Sequence, residues 1–255
     1  MSAPRIAAIA LGAFMLGSPG SDAVAAKRET AVPILMYHVI ANPPQDAPFP
    51  ELYVDRDSFR DQIEWLHANR FRAVTLRAVY DHWIRGTRLP AHPVVITFDD
   101  GYRSNFTAAF PTLEARSWPG VVNLKVKNTT VSWGLSPKRV RTLIAAGWEI
   151  DAHTITHPDL TRVDGAQLHR EIAGSRSIIR RQFHVPVDFF CYPSGRYNAS
   201  VVAEVRRAGF LGATTTNVGL ARPSDMYTLK RVRVDRSDDV AGLAAKLEAL
   251  GVAER

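Results

Sequence analysis

The sequence predicts an α/β fold, a parallel sheet covered by helices, and three observations carry that prediction. Short apolar runs rich in Val and Ile recur along the chain, bounded by turn residues. Amphipathic stretches with helical spacing separate them. The runs are apolar on both faces, as strands buried beneath helices must be. Roughly 230 residues beyond the N-terminal stretch, with no repeat or low-complexity linker, favour one barrel-like domain over two.

The elements follow in order. Residues 1–26 read MSAPRIAAIALGAFMLGSPGSDAVAA: Arg5, an apolar run from Ile6 to Leu16, a break at Pro19 and Gly20, then the small residues Val24, Ala25 and Ala26. That is the order of a secretory signal peptide, and the run is too short to span a bilayer. Residues 27–255 are read as the folded domain. Pro33-Ile34-Leu35-Met36-Tyr37 reads as a buried strand. Residues 58–69 place Phe59, Ile63 and Leu66 at helical spacing, with Asp57 and Ser58 as capping candidates. Val94-Val95-Ile96-Thr97-Phe98 is a strand that ends abruptly at Asp99-Asp100-Gly101, and Val121–Val126 is another. Ser136-Pro137 starts a helix with Val140, Leu143 and Ile144 as its buried stripe, stopped by Gly147. Further helices are expected over 166–182, 198–208 (capped by Asn198) and 239–250.

Composition excludes some classes. With 46% apolar and 22% charged residues the chain is not globally disordered. Its single cysteine, Cys191, excludes an intramolecular disulfide and a Cys-rich zinc site. Against 25 Asp and Glu stand 32 Lys and Arg, a net charge of +7. No binding motif or basic-aromatic run accompanies that charge, so nucleic acid is not an expected partner. No later segment is long enough for a transmembrane anchor. The expectation is an exported protein, secreted or periplasmic, with any envelope association peripheral; the oligomeric state is left open.

Three motifs carry chemistry. In Thr97-Phe98-Asp99-Asp100-Gly101-Tyr102 two acids end a buried strand, where parallel α/β folds place their active sites. One could ligate a metal while the other stays free as a base; turn chemistry is the plain alternative. His153-Thr154-Ile155-Thr156-His157-Pro158 puts two histidines four apart, a spacing that chelates a transition metal on one helical face or one turn. With a carboxylate from elsewhere this set would leave positions open for water. Phe189-Phe190-Cys191-Tyr192-Pro193-Ser194-Gly195-Arg196-Tyr197-Asn198 runs from a strand through a turn into a capped helix, a turn whose N–H groups could hold an oxyanion.

The series TFDDGY, GWEIDAHTITHPDL, FFCYPSGRYN and LKRVRV resembles the polysaccharide deacetylase family, also called the NodB homology domain or carbohydrate esterase family 4. The resemblance runs over roughly residues 33–250 with the motifs in the family's order. It implies a distorted (β/α)7 barrel, with a circularly permuted form left open, and a divalent metal, usually zinc. It also implies an N-acetylglucosamine-containing glycan as substrate, from which N-acetyl groups are hydrolysed. Asp100, His153 and His157 match the metal ligands and Asp99 the catalytic base, removing a proton as water attacks the acetamide. The backbone N–H of Ser194 falls where the family places an oxyanion-supporting amide.

Two departures stand out. Cys191 occupies the position of the arginine that orients the catalytic Asp, and Arg231 or Arg233 is the candidate replacement. No histidine follows His184, so the late histidine used as general acid is missing. In the branch acting on poly-N-acetylglucosamine an early strand ends in Tyr-His, and Tyr37-His38 stands in that position here. His38 is therefore the candidate acid, and poly-N-acetylglucosamine is favoured over chitin or peptidoglycan. His67, His82, His92, His169 and His184 are read as surface residues, and Cys191 as a small buried filler. Tyr37, Tyr102, Tyr192, Trp133 and Trp148 are divided between a sugar-stacking groove and the core. Rival readings are a glycosidase using Asp99 and Asp100, a metal-dependent amidohydrolase of small cyclic amides, and a non-catalytic glycan-binding domain. An N-acetylated glycan is neutral, so the positive charge is expected to play no part in reading it.

Overall fold

The computed structural model describes residue 1 and residues 30–252. The segment read as a signal peptide lies, but for residue 1, outside the described residues.

Among the described residues ten strands form: β1 (Ile34–Tyr37), β2 (Val39–Ile40), β3 (Tyr53–Val54), β4 (Arg72–Ala73), β5 (Pro93–Asp100), β6 (Val121–Leu124), β7 (Glu149–Ala152), β8 (Phe189–Cys191), β9 (Gly212–Val218) and β10 (Leu229–Arg233). Strands β5 to β10 pair in sequence order, and β1 closes the ring by pairing with both β10 and β5. Every pairing is parallel. The result is a closed seven-stranded (β/α) barrel, as the sequence led us to expect, and it leaves no sheet edge along β1. β4 lies against the first residues of β5, and β2 and β3 form a separate parallel pair.

Among the described residues the helices are α1 (Arg56–Ala68), α2 (Leu76–Arg85), α3 (Phe110–Glu114), α4 (Pro137–Ala145), α5 (Gly165–His169), α6 (Ser175–Phe183), α7 (Ala199–Arg207) and α8 (Val240–Glu248). Their buried stripes, such as Val140 and Leu143 on α4, cover the outward residues of the strands. Each such side chain taken out of water contributes about 1.5–3 kcal/mol. The inward residues Ile34, Val95, Val121, Phe189 and Leu229 pack instead against Leu76, Val79 and Trp83 of α2. These residues begin their strands, so α2 closes the N-terminal end of the barrel and leaves the C-terminal mouth open.

Three expectations need correction. The first helix starts at Arg56 and its cap is Asp55, whose carboxylate accepts from the N–H groups of Asp57 and Ser58; those two residues lie inside the helix. The helix expected over 166–182 is interrupted by a π segment, Arg170–Gly174, between α5 and α6. His82 is buried, its Nδ1–H donating to the Thr87 carbonyl at 2.7 Å; it belongs to α2, which Thr75 caps at its start and Gly86 (φ 71°) ends.

Candidate active site and metal centre

Asp99 and Asp100 close β5. Successive side chains on a strand point to opposite faces. Here Asp100 adopts φ 69° and Gly101 φ 74°, which turns the chain so that both carboxylates reach the mouth. A non-glycine residue in this region costs on the order of 1 kcal/mol, and such strain collects at functional sites. Asn128 holds the turn by donating from Nδ2 to the Asp100 carbonyl at 3.0 Å.

His153 leaves the end of β7, and the loop curls back through Thr154 (φ 64°) and His157 (φ 68°). The His157 N–H donates to Thr154 Oγ1 at 2.9 Å. The two histidines thus meet on a turn, their ring centroids 4.7 Å apart. Their Nε2 atoms lie 3.8 and 3.9 Å from Asp100 Oδ1. Glu171 anchors this loop from below: Oε2 accepts from the N–H groups of Ile155 and Thr156 at 2.8 and 2.9 Å, and Oε1 from Thr156 Oγ1 at 2.6 Å. Glu171 sits in the π segment, a distortion often found beside functional sites because it re-aims side chains.

Asp100, His153 and His157 each offer a ligand atom, all within 4.8 Å of one another. His153 donates from Nδ1 to the Cys191 carbonyl at 2.7 Å, which turns Nε2 toward the cluster. Burial, then the charge of protonated His153, push His157 down to about 4, so its ring is neutral; Cys191, Asp99 and Asp100 hold His153 up at about 10 against burial, and a cation would take the place of its Nε2 proton. Two imidazoles and one carboxylate suit a borderline divalent cation such as zinc and leave room for further ligands. Asp99, His153 and Cys191 form a second set of the same span. The guanidinium of Arg231 rests on Asp99 and would repel a cation there, so the Asp100 set fits better.

Asp99 is 2% exposed and Arg231 1%. Arg231 donates from Nη1 to Oδ1 and from Nη2 to Oδ2, both at 2.8 Å, a bidentate pair. Its Nε donates to the Thr215 carbonyl at 2.7 Å and its Nη1 also to Thr97 Oγ1 at 3.1 Å. Asn123 Nδ2 donates to Asp99 Oδ1 at 2.7 Å. Burial alone pushes the Asp99 carboxyl up; the charge and hydrogen bonds of Arg231 outweigh it and hold Asp99 well below the usual carboxylate range. Oδ1 is fully engaged by Arg231 and Asn123. Oδ2 retains acceptor capacity on the side of His38, whose Nε2 is 3.8 Å away. Burial lowers the pKa of His38 against the pull of Asp99 and Asp100.

Of the two arginines offered by the sequence, only Arg231 takes the orienting position; Arg233 lines the cavity wall. Cys191 does more than fill space: Arg231 Nη2 donates to its sulfur at 3.3 Å, and its thiol lies 3.6 Å from Asp99 Oδ2. A cavity of about 370 Å³ opens over these groups and reaches His38, Asp99, Asp100, His153, His157 and Ser194. Ser194 has φ 51° and Gly195 φ 69°. A Cβ on Gly195 would lie 2.0 Å from Thr216 Oγ1, so glycine is required for that turn. Tyr102, Trp133 and Tyr192 line the cavity, whereas Tyr37 and Trp148 belong to the core. Asn123 and Glu171 were not singled out in the sequence. A lone Asn inside Val121-Val122-Asn123-Leu124 was a signal for the first; nothing marked the second.

Fold and mouth together define a (β/α)7 barrel whose C-terminal mouth gathers buried carboxylate and imidazole groups at one cavity. Comparison with known proteins narrows the class: the polysaccharide deacetylase family pattern matches residues 86–213, half of the chain, and the chain belongs to that family. YxkH of Bacillus subtilis, which carries the same family designation, is 28% identical over 225 residues, covering 88% of this chain and 78% of its own. The poly-β-1,6-N-acetyl-D-glucosamine N-deacetylase of Escherichia coli K12 is 22% identical over 84% of this chain, which spans 38% of that enzyme's length. Among solved structures, the Streptococcus pyogenes deacetylase PplD in complex with acetate superposes with a TM-score of 0.80 at 24% identity, covering 86% of this chain and 98% of that one.

Proposed function

We propose that this polysaccharide deacetylase hydrolyses N-acetyl groups from N-acetylglucosamine residues, with a divalent cation, zinc by preference, held by Asp100, His153 and His157. The single observation that carries the reading is the bidentate Asp99–Arg231 pair set directly beside the Asp–His–His cluster at one cavity. It supplies the orienting arginine whose absence from the Cys191 position motivates the rival reading of a non-catalytic domain. A cation bound there supplies Lewis acidity toward water and the acetamide carbonyl. Asp99 Oδ2 accepts the proton of the attacking water. A carboxylate held ionised this firmly does not retain the proton, and His38 is the neighbouring neutral acceptor on the route to the leaving amine. His38 protonates that amine, and the backbone N–H of Ser194, a residue that lines the cavity, supports the developing oxyanion. Water and amide give acetate and a protonated amine, both protons of the water ending on the leaving nitrogen.

A β-1,6-linked poly-N-acetylglucosamine backbone is the favoured substrate, supported by the position of His38 and by the name of the Escherichia coli relative. The leader-like residues 1–26 support an exported enzyme acting on an envelope or extracellular glycan. No helix among the described residues is long and apolar enough to cross a membrane. Acetate release from poly-N-acetylglucosamine, chitin and peptidoglycan strands tests the reading. The expected result is release that is fastest on the first, lost on chelation and restored by zinc or cobalt. Release from none of them, or release indifferent to the chelator, overturns it.

A further inference from the structure

A second groove, about 890 Å³, adjoins the catalytic cavity, and the two share Tyr102 and Trp133 as their dividing wall. Those rings lie 5.5 Å apart, and Trp133 is 47% exposed, a platform on which a sugar ring can stack. Beyond that platform the groove is lined by Arg56, Arg103 and Arg139, and by no carboxylate.

None of the three guanidiniums has a carboxylate partner among the described residues. Arg139 lies over the Phe106 ring at 5.9 Å. The acids flanking Arg56 are committed elsewhere: Asp55 caps α1 and bonds Ser58, and Asp57 pairs with Arg60 at 2.7 Å. Placement adds to the imbalance. Arg56 is the first residue of α1, Arg103 precedes the helical segment beginning at Asn105, and Arg139 is in the first turn of α4, a turn that holds no acid. Cations are disfavoured at helix N-termini, where the backbone already presents positive charge. Three unpaired arginines around one groove, at the helix ends least suited to them, make a local positive field that an anion would relieve.

We propose that this groove is a subsite for an acidic group, a carboxylate or a phosphate, borne by the same glycan strand whose N-acetyl group reacts in the adjoining cavity. The inference rests on the deacetylase reading above. An unsubstituted poly-N-acetylglucosamine strand gives these arginines nothing to bind, so the substrate class becomes such a backbone carrying acidic substituents. It also gives part of the net positive charge a role in reading substrate, contrary to the expectation from charge alone.

The test is acetate release from β-1,6-linked N-acetylglucosamine oligomers of one length in four forms: unmodified, hydroxyl-succinylated, the methyl ester of the succinylated form, and hydroxyl-phosphorylated. One or both acidic forms should show a kcat/KM about tenfold above the unmodified oligomer, mainly through KM, with the advantage shrinking as salt rises. The more reactive acidic form identifies the group. The methyl ester should fall back toward the unmodified oligomer. In the Arg56→Gln/Arg103→Gln/Arg139→Gln variant, checked for unchanged melting, the ratio of acidic to unmodified kcat/KM should collapse toward one. Equal rates on charged and uncharged oligomers, or a ratio untouched by the triple substitution, overturn the subsite while leaving the deacetylase reading intact. Absence of acetate from every form is instead a failure of that reading.

Discussion

Asp99 and Asp151 occupy the same rung of the barrel, on β5 and β7, separated by Asn123 on β6. Both are buried, at 2% and 0% exposure. Their protonation nevertheless goes opposite ways. Asp99 receives a bidentate guanidinium and is held ionised. Asp151 receives the Phe189 N–H on Oδ1 at 2.9 Å and, instead of a cation, a hydrogen bond with the carboxyl of Glu149, two residues away on the same face. Burial pushes it well above its usual range, and the charge of Glu149 pushes it further. Equal burial therefore does not decide the charge of an acid; one arginine contributed by β10 does.

Removing that arginine should erase the difference. In Arg231→Leu the Asp99 carboxyl loses the charge that outweighs its burial and comes to resemble Asp151. Acetate release should fall roughly a hundred- to ten-thousand-fold at neutral pH, the range lost with a general base. Zinc content by elemental analysis should stay near that of the parent. Breaking a buried pair also destabilises, by about 3–5 kcal/mol where the remaining charge stays uncompensated, so melting is measured beside activity. Arg231→Lys retains a charge but not the fork, and should recover only part of the rate. Full activity in Arg231→Leu would show that Asp99 is neither oriented nor kept ionised by this contact.

A smaller effect is expected from the acid that supports the mouth from outside the barrel. Glu171 touches no reacting atom; it fixes the loop between His153 and His157 through three hydrogen bonds. Glu171→Ala should weaken zinc binding about ten- to a hundredfold in a chelator-competition titration, in line with other outer contacts to metal ligands. Excess zinc should restore most of the rate, which distinguishes a positioning role from a catalytic one. Unchanged zinc affinity would leave Glu171 with a packing role only.

Such differences decide what the sequence could reveal. β5 was readable because an apolar β-branched run ending in two acids is a local signal. Asp100, His153 and His157 are readable because an acid after a strand and two histidines four apart form a local pattern of residue type and spacing suited to chelation. The choice between Arg231 and Arg233 is not local: the two share one face of β10, and the register of β10 against β1 and β9 sets Arg231 deep beside Asp99 and Arg233 at the cavity wall. Asn123 and Asp151 share that difficulty, since a polar residue in a strand reads as exposed until the barrel closes around it. α2 was missed because its apolar face, Leu76, Val79 and Trp83, faces the barrel interior rather than a strand's outer surface. The helix over 166–182 is legible, but its π segment and Glu171 follow from tertiary contacts with the loop between His153 and His157.

The mildest test concerns the acid pair that has no arginine. Burial pushes the Glu149 carboxyl up to about 7 from an ordinary 4.5, against the N–H of Arg77, which donates to Oε2 at 3.0 Å at the start of α2. Between those two pH values the folded protein keeps a proton that the unfolded chain has released. The folded state therefore binds more protons, and stability must fall as pH rises through that window. Below it both states are protonated, and above it the full cost of the buried charge is present. Glu149→Gln keeps an oxygen for the Arg77 N–H and cannot titrate. Denaturant melts from pH 4.5 to 8 should show the variant losing less stability than the parent, by roughly 1–3 kcal/mol over the window. Because the proton belongs to the pair, Asp151→Asn added to Glu149→Gln should remove any slope that the single variant retains. A parent and a double variant with parallel pH profiles would mean that these acids are ionised like Asp99, and that a buried carboxylate in this barrel needs no arginine to hold its charge.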